Sequence, residues 1–210
     1  LTLIFASLLA LDSTKRISVV LILIILLFTF NYINSFGRQP GLILDTDTQY
    51  NRVWILYDKE PASQKPIKKM QIGNEQHSAM FLDDEGLVYE YSKIFHLVSH
   101  FNPSFQKALM IGGGAYSYPK EYLKKFPAAK LDVVEIDPKL TELAREYFNL
   151  KENPRLRIYH EDGRVFLNRT KEKYDAVFID AYRSFAVPYQ LTTKEAVQKI
   201  YYNIKPCLKV

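Results

Sequence analysis

Three consecutive glycines and one distant acid are the residues of this chain best suited to chemistry. Residues 107–111 are apolar and predict a buried strand, which leads directly into Gly112, Gly113 and Gly114. A second apolar segment ends in Glu135, about twenty residues after the glycines. Glycines let the backbone turn sharply and approach a ligand, and a carboxylate at the end of the second strand accepts the hydroxyl protons of a ribose. The pattern predicts a site for a nucleoside-containing cofactor and leaves the reaction open.

Polar residues also follow two later predicted strands. Residues 156–159 lead to Asp162 and Gly163, and residues 174–179 lead to Asp180. Ligands bind outside the carboxyl ends of the strands in doubly wound parallel sheets, so these residues and the glycines are expected at one edge. Segments with helical spacing of apolar residues separate the strands. We therefore predict an α/β fold with a Rossmann-like, doubly wound sheet.

The order of these motifs resembles the spermidine synthase family of polyamine aminopropyltransferases, and most closely its membrane-fused members. The motifs that carry the resemblance are GGG at 112–114, VEIDP at 134–138, NPR at 153–155, EDG at 161–163 and KYD at 173–175. The resemblance runs from about residue 45 to the end. It implies the sheet of S-adenosylmethionine-dependent methyltransferases and transfer of an aminopropyl group.

The resemblance also implies which residues bind the cofactor, S-adenosylmethionine or its decarboxylated form. The three glycines line the methionine-derived part, and Glu135 takes the ribose hydroxyls. Asp162 and Gly163 face the adenine.

A single catalytic residue, Asp180, is implied by the same resemblance. It matches the family's acid that accepts a proton from the attacking amine, and the substrate is a small-molecule amine. A polyamine is protonated at neutral pH, so a carboxylate must hold it and remove a proton before the nitrogen attacks. Tyr50, Tyr182 and Arg183 are assigned to the substrate side.

Two positions depart from the family pattern. Ala115 stands where an Asp usually follows the glycines and holds the amino group of the decarboxylated cofactor. Arg183 stands where the catalytic loop usually has a second acid. Losing two carboxylates weakens attraction for a polyamine, and the changes suit ordinary S-adenosylmethionine. Methyl transfer and an inactive cofactor-binding homologue are therefore the alternative functions.

The front of the chain is predicted to lie in a membrane. The chain has 210 residues, 48% of them hydrophobic, which suffices for one globular domain and an additional segment. We predict a transmembrane region at 1–35, in which 1–11 end a preceding span and a helix covers about 17–34. A signal peptide is the alternative, because Lys15 and Arg16 precede the apolar run.

Two further regions follow. A small antiparallel β region is expected at 36–85, and the Rossmann-like cofactor-binding domain at 86–210, with its first helix at 87–100. Alternating apolar and polar residues predict strands of the β region at 52–57, 67–72 and 78–82. After Pro206 the chain only begins a fifth strand, so we expect a truncated domain whose C-terminal strands are missing.

Composition limits the partners. The net charge of +5 is modest and the fifteen tyrosines are not interleaved with a basic patch, so nucleic acid is not expected. The four histidines lack the spacing of metal ligands, so a metal is not expected either.

Cys207 is the single cysteine and offers no disulfide framework, and the cofactor is cytosolic, so we expect the globular domain in the cytoplasm. Lys15 and Arg16 favour the opposite orientation, with the globular domain outside the cytoplasm. A homodimer is left open.

Overall fold

A computed structural model of the chain describes residues 12–36, 40–73, 75–84, 86–182 and 186–206. The chain divides into two compact units, Leu1–Pro40 and Gly41–Val210.

The first unit contains helix α1, Ser13–Phe36. Its described apolar side chains are exposed, Leu23 and Phe28 among them. Within the part of the chain that the structure describes, no helix is both long and apolar enough to cross a membrane. The earlier span predicted at 1–11 lies outside the described residues.

The second unit begins with a four-stranded antiparallel sheet. Its strands are β1 (Leu42–Asp47), β2 (Arg52–Lys59), β3 (Pro66–Ile72) and β4 (Glu75–Phe81), paired in chain order. Residues Val53 and Ile55 of β2 and Met70 of β3 are fully buried, while their neighbours along each strand are less so. The alternation of apolar and polar residues along β2 and β3 is what predicted these strands from the sequence. It means that one face of the antiparallel sheet points to the protein interior. Strand β1 was not predicted.

A parallel sheet forms the centre of the unit. Its strands are β5 (Lys107–Ile111), β6 (Lys130–Glu135), β7 (Leu156–His160) and β8 (Ala176–Ile179), in the spatial order β7-β6-β5-β8. All neighbouring pairs are parallel. Residues 108–111 of β5 and 131–135 of β6 are buried, the charged Asp132 and Glu135 included, because both faces of the sheet are covered. The order reverses between β5 and β8, so the carboxyl ends of these two strands mark the position where doubly wound sheets bind ligands.

Short helices cover the parallel sheet. They are α2 (Glu90–Ile94), α3 (Val98–Phe101), α4 (Ser117–Lys125), α5 (Pro138–Tyr147), α6 (Gly163–Arg169), α7 (Tyr189–Thr192) and α8 (Lys194–Asn203). The single helix predicted at 87–100 is wrong in detail: a 3₁₀ turn, Phe95–Leu97, separates α2 from α3. Helix α5 begins with Asp137 accepting a hydrogen bond from the N–H of Lys139 at 3.0 Å and with Pro138 at the first position.

The antiparallel sheet packs on helix α5 of the parallel-sheet layer. Val53, Ile55 and Met70 share an apolar cluster with Leu140 and Leu143. The antiparallel sheet and the parallel-sheet layer therefore share a buried apolar core.

At the C-terminal end, Ile204 forms a parallel bridge with Tyr174 beside β8. The fifth strand predicted beyond it falls on 207–210, outside the described residues.

Candidate functional site

The glycine loop is tied to Glu135. One carboxylate oxygen, Oε2, accepts hydrogen bonds from the N–H groups of Gly113 at 2.8 Å and Gly114 at 3.2 Å. The other oxygen, Oε1, accepts from the N–H of Asp137 at 3.0 Å. Glu135 is 5% exposed, so these bonds form in a largely water-free setting, where hydrogen bonds to a charged group are strong. The two features that the sequence placed about twenty residues apart are in direct contact.

Strand β8 brings Asp180 to the same loop. The N–H of Asp180 donates to the carbonyl of Ile111 at 2.8 Å, which extends the β5–β8 pairing. Gly112 has φ of 97°, and a Cβ on it would lie 2.3 Å from the carbonyl oxygen of Asp180. Only glycine allows both the left-handed backbone and this close approach. Gly112 therefore lets the ends of β5 and β8 meet.

The carboxyl group of Asp180 is partly buried. Burial raises the pKa of Asp180 to about 6, and a hydrogen bond from the Tyr91 hydroxyl opposes this rise. The hydroxyl oxygen of Tyr91 lies 3.5 Å from Oδ2 of Asp180, at the outer limit for such a bond. A carboxyl group with this pKa is mostly ionised at pH 7. Its pKa is also close enough to that pH for the group to accept and release a proton readily.

Asp180 and Gly113 line a small cavity at the carboxyl ends of β5 and β8. Its other walls come from β4 (Ser78 and Ala79), Met110 of β5, residues 87–89, 91 and 92, and the first turn of α4. The cavity holds about 20 Å³, room for roughly one water molecule. A ligand the size of a nucleoside would need these walls to move apart.

Asp162 and Gly163 have structural functions at the start of helix α6. The carboxylate of Asp162 accepts a hydrogen bond from the N–H of Val165 at 3.0 Å and so caps the helix. A Cβ on Gly163 would lie 2.5 Å from Cγ2 of Ile111, so the glycine allows α6 to pack on β5. Among the described residues that line the cavity, neither of the two is found. Their predicted place at the adenine stays a prediction.

The assignment of three residues to the substrate side stays a prediction. Tyr50 is 45% exposed and Tyr182 is 48% exposed, and neither lines the cavity. Arg183 lies outside the described residues.

The position after the glycines differs from the expectation. We expected the side chain of Ala115 to replace an acid beside the cofactor. It is instead fully buried in the apolar cluster between the antiparallel sheet and α5, with Leu140 and Leu143. Its N–H donates to the Ser78 hydroxyl at 3.1 Å. An alanine here serves packing, because a carboxylate would have to be buried among aliphatic side chains.

Three residues of the site were missed in the sequence, namely Ser78, Tyr91 and Tyr118. Ser78 and Tyr91 lie before the parallel sheet and reach its edge only through long-range contacts. No local pattern marks such residues. Tyr118 follows the glycine loop closely, yet a tyrosine on the buried face of an amphipathic helix is interpreted as a core residue.

Fold and site together define a Rossmann-like α/β domain of the methyltransferase type, with a glycine loop, a buried acid at the end of β6 and an acid at the sheet's switch point. The family model for the spermine/spermidine synthase domain matches residues 88–209. The chain belongs to this family.

Individual relatives agree with this assignment. The chain is 30% identical over 115 residues to the polyamine aminopropyltransferase of Vibrio vulnificus, a match that covers 53% of this chain and 38% of that relative. The chain thus spans well under two thirds of the length of this curated relative.

Solved structures show the same fold. A spermidine synthase in complex with the transition-state analogue AdoDATO superposes with a TM-score of 0.65 at 23% identity, over 79% of this chain and 55% of that one. The spermidine synthase of Thermotoga maritima gives 0.63 at 23% identity, over 79% and 54%.

Proposed function

We propose that this chain is part of a spermidine synthase-like transferase, which binds an S-adenosylmethionine-type cofactor and transfers an aminopropyl group to a small amine. The position of Asp180 carries this proposal. It follows β8 where the strand order reverses, lines a cavity with Gly113, and has a pKa raised by burial to about 6. Membership of the family and the relatives' names support the same reaction.

The residues at the end of β6 suit a ligand with hydroxyl groups. A carboxylate has about four acceptor sites, and Glu135 uses three of them on the N–H groups of Gly113, Gly114 and Asp137. Within the described residues, Oδ2 of Asp137 is buried without a hydrogen-bond partner. Buried polar atoms are nearly always paired, so a donor from a ligand is a reasonable partner for it. The glycine loop and the acids of β6 would hold the nucleoside of the cofactor, and Asp162 would hold its adenine.

Asp180 would act on the acceptor amine. When bound, the decarboxylated cofactor supplies the electrophilic carbon next to its sulfonium. The amine arrives protonated, and the carboxylate of Asp180 attracts the ammonium and takes one proton from its nitrogen. The nitrogen lone pair would then be free to form a bond to that carbon, while the carbon–sulfur bond breaks and its electron pair stays with the sulfur of the departing thioether. Glu135 has no place in this step, because its carboxylate is already occupied by backbone N–H groups.

Incubation of the full chain with decarboxylated S-adenosylmethionine and putrescine tests the proposal. We expect spermidine by mass spectrometry, and its loss on Asp180→Asn. Asp175→Asn is the matched control, because Asp175 lies at the opposite end of β8 and bonds to the N–H groups of Gln106 and Lys107. Cofactor binding without any transfer would indicate the inactive homologue instead.

A second candidate, methyl transfer from S-adenosylmethionine, is favoured by one observation. The glycine loop is followed by Ala115, so the loop itself supplies no carboxylate for the free ammonium of the decarboxylated cofactor. Calorimetric titration with the two cofactor forms separates the candidates. Tighter binding of S-adenosylmethionine than of its decarboxylated form supports methyl transfer.

We also propose that helix α1 attaches the protein to a membrane with the second unit in the cytoplasm. The exposed apolar side chains of α1, such as Leu23 and Phe28, support this. Carbonate extraction tests it, since release into the soluble fraction would contradict it.

A homodimer is proposed as well. The apolar side chains of Ile94 and Phe101 are 61% and 78% exposed on the α2–α3 segment and offer a surface for a second copy. Light scattering of the purified chain measures the mass.

A further inference from the structure

Tyr116, two residues after the glycine loop, has an unusual backbone conformation. Its φ of 57° and ψ of 31° lie in the left-handed region, which favours glycine, and its side chain is fully buried. A residue with a side chain costs backbone energy in this region and persists only where the surrounding contacts hold it. The contacts of the Tyr116 side chain should therefore explain why a tyrosine is present there.

The ring of Tyr116 lies against Gly113. A Cβ on Gly113 would be 2.7 Å from Cζ and 2.8 Å from Cε2 of Tyr116, so the ring fills the space beside the glycine. The N–H of Tyr116 also donates to the carbonyl of Gly113 at 2.8 Å. Gly113 in turn donates its N–H to Glu135 and lines the cavity with Asp180. The ring of Tyr116 thus limits where the backbone of Gly113 can lie.

The hydroxyl of Tyr116 is anchored in a buried chain of hydrogen bonds. Its oxygen lies 2.7 Å from Oγ1 of Thr141, a fully buried residue of α5. The same Oγ1 lies 3.0 Å from Nε2 of His160, the last residue of β7 and the register partner of Glu135. Burial and the charge of Glu135 raise the pKa of Tyr116, so its hydroxyl stays protonated and can donate. The chain connects the glycine loop with the ends of β6 and β7.

We propose that Tyr116 is a positioning residue: the bond between its hydroxyl and Thr141 fixes the ring that holds Gly113 and Glu135 in the arrangement that receives the nucleoside of the cofactor. This inference rests on the proposed function. A loop that is fixed before the ligand arrives loses less conformational freedom on binding, so the bond should raise the affinity for the nucleoside. The acceptor amine is assigned to Asp180 on β8, outside this chain of hydrogen bonds, so the bond should not affect the KM for putrescine.

Three substitutions isolate the bond between the two hydroxyls. Tyr116→Phe removes one hydroxyl and keeps the ring, Thr141→Val removes the other, and Thr141→Ser keeps it. The full chain is titrated with methylthioadenosine, which has the nucleoside of both cofactor forms but no amino-acid tail. We expect Tyr116→Phe and Thr141→Val each to weaken binding roughly tenfold, and Thr141→Ser to bind like the wild type. The double variant should also lose about tenfold, because both changes remove the same bond.

Tyr122→Phe is the matched control. Tyr122 is also fully buried, and its hydroxyl donates to the carbonyl of Lys130 at 3.2 Å. It contacts neither Gly113 nor Thr141 through any of these bonds. Its loss should lower the melting temperature by about as much as Tyr116→Phe does and leave the binding of methylthioadenosine unchanged.

The outcomes are distinguishable. Unchanged binding by Tyr116→Phe overturns the inference and leaves the proposed function intact. An equal loss in Tyr122→Phe also overturns it, since general destabilisation would then explain the effect. A loss of about a hundredfold in the double variant would show that the two hydroxyls act independently, which contradicts the inference. No binding of methylthioadenosine by the wild type overturns both the inference and the proposed cofactor.

Discussion

The carboxylate of Glu135 accepts a hydrogen bond from the N–H of Gly113 at 2.8 Å. This bond joins the end of β6 to the loop after β5 and makes the acid part of the loop's own structure. An acid predicted to bind a ribose therefore also sets the shape of the glycine loop before any ligand arrives.

The first prediction concerns Glu135→Gln. The amide removes the charge and can present an N–H₂ to the backbone N–H groups, so we expect the free energy of unfolding to fall by about 1–3 kcal/mol. Affinity for the cofactor should fall with it. Urea denaturation and calorimetric titration measure the two effects. Glu142→Gln is the control, because Glu142 forms a surface ion pair with Lys139 and its loss should change little.

The second prediction concerns the pH dependence of Asp180. Its pKa in the folded state is raised by burial from 3.8 to about 6, so the protonated form favours folding. The stabilisation is complete below pH 3.8 and is lost as the pH rises through 6. Asp180→Asn should therefore raise the free energy of unfolding at pH 8 by about 2–3 kcal/mol, and change it little near pH 3. Transfer activity should fall in the same variant.

Asp175→Asn provides a control of opposite sign. Burial would raise the pKa of Asp175, but the N–H groups of Gln106 and Lys107 and the ammonium of Lys205 together hold it below 3.8. Its stabilisation is present above pH 3.8 and is lost on acidification. The variant should be less stable at pH 8. If both variants lost stability at that pH, the raised pKa of Asp180 would be disproved.

The third prediction is that Ala115→Asp destabilises the fold. A carboxylate at this position would be buried against Leu140 and Leu143, which costs about 3 kcal/mol or more. Chemical denaturation measures the loss. Ala62→Asp, in an exposed turn, should be neutral. A stable Ala115→Asp variant with a preference for the decarboxylated cofactor would instead place residue 115 at the ligand.

The fourth prediction tests why residue 163 is glycine. A Cβ there would lie 2.5 Å from Cγ2 of Ile111, so Gly163→Ala should cost about 1–3 kcal/mol in unfolding free energy. Ile111→Ala removes the clashing atom but lowers the unfolding free energy by itself. The double variant should therefore lose less than the sum of the two single losses. Strict additivity would mean that the two residues do not interact.

Much of the parallel sheet could be predicted because its signals are local. Strands β5 and β6 are buried on both faces and contain short apolar segments at 108–111 and 133–134, and the glycines and Glu135 stand directly at the strand ends. The cap of α5 at Asp137 is equally local, since a carboxylate and a backbone N–H two residues apart are enough to form it. The break between α2 and α3 was missed, because apolar residues keep their helical spacing through the 3₁₀ turn.

The amino-acid sequence by itself determined the order of strands and helices, the glycine loop and the acids at the strand ends, since each depends on neighbouring residues. Tertiary structure decided how these groups are used. It occupied Glu135 with backbone N–H groups, buried Ala115 in an apolar cluster with the antiparallel sheet, and placed the Tyr91 hydroxyl beside Asp180. These outcomes depend on contacts between residues far apart in the chain, and burial at such contacts sets the pKa of Asp180 and the cost of every unpaired polar atom.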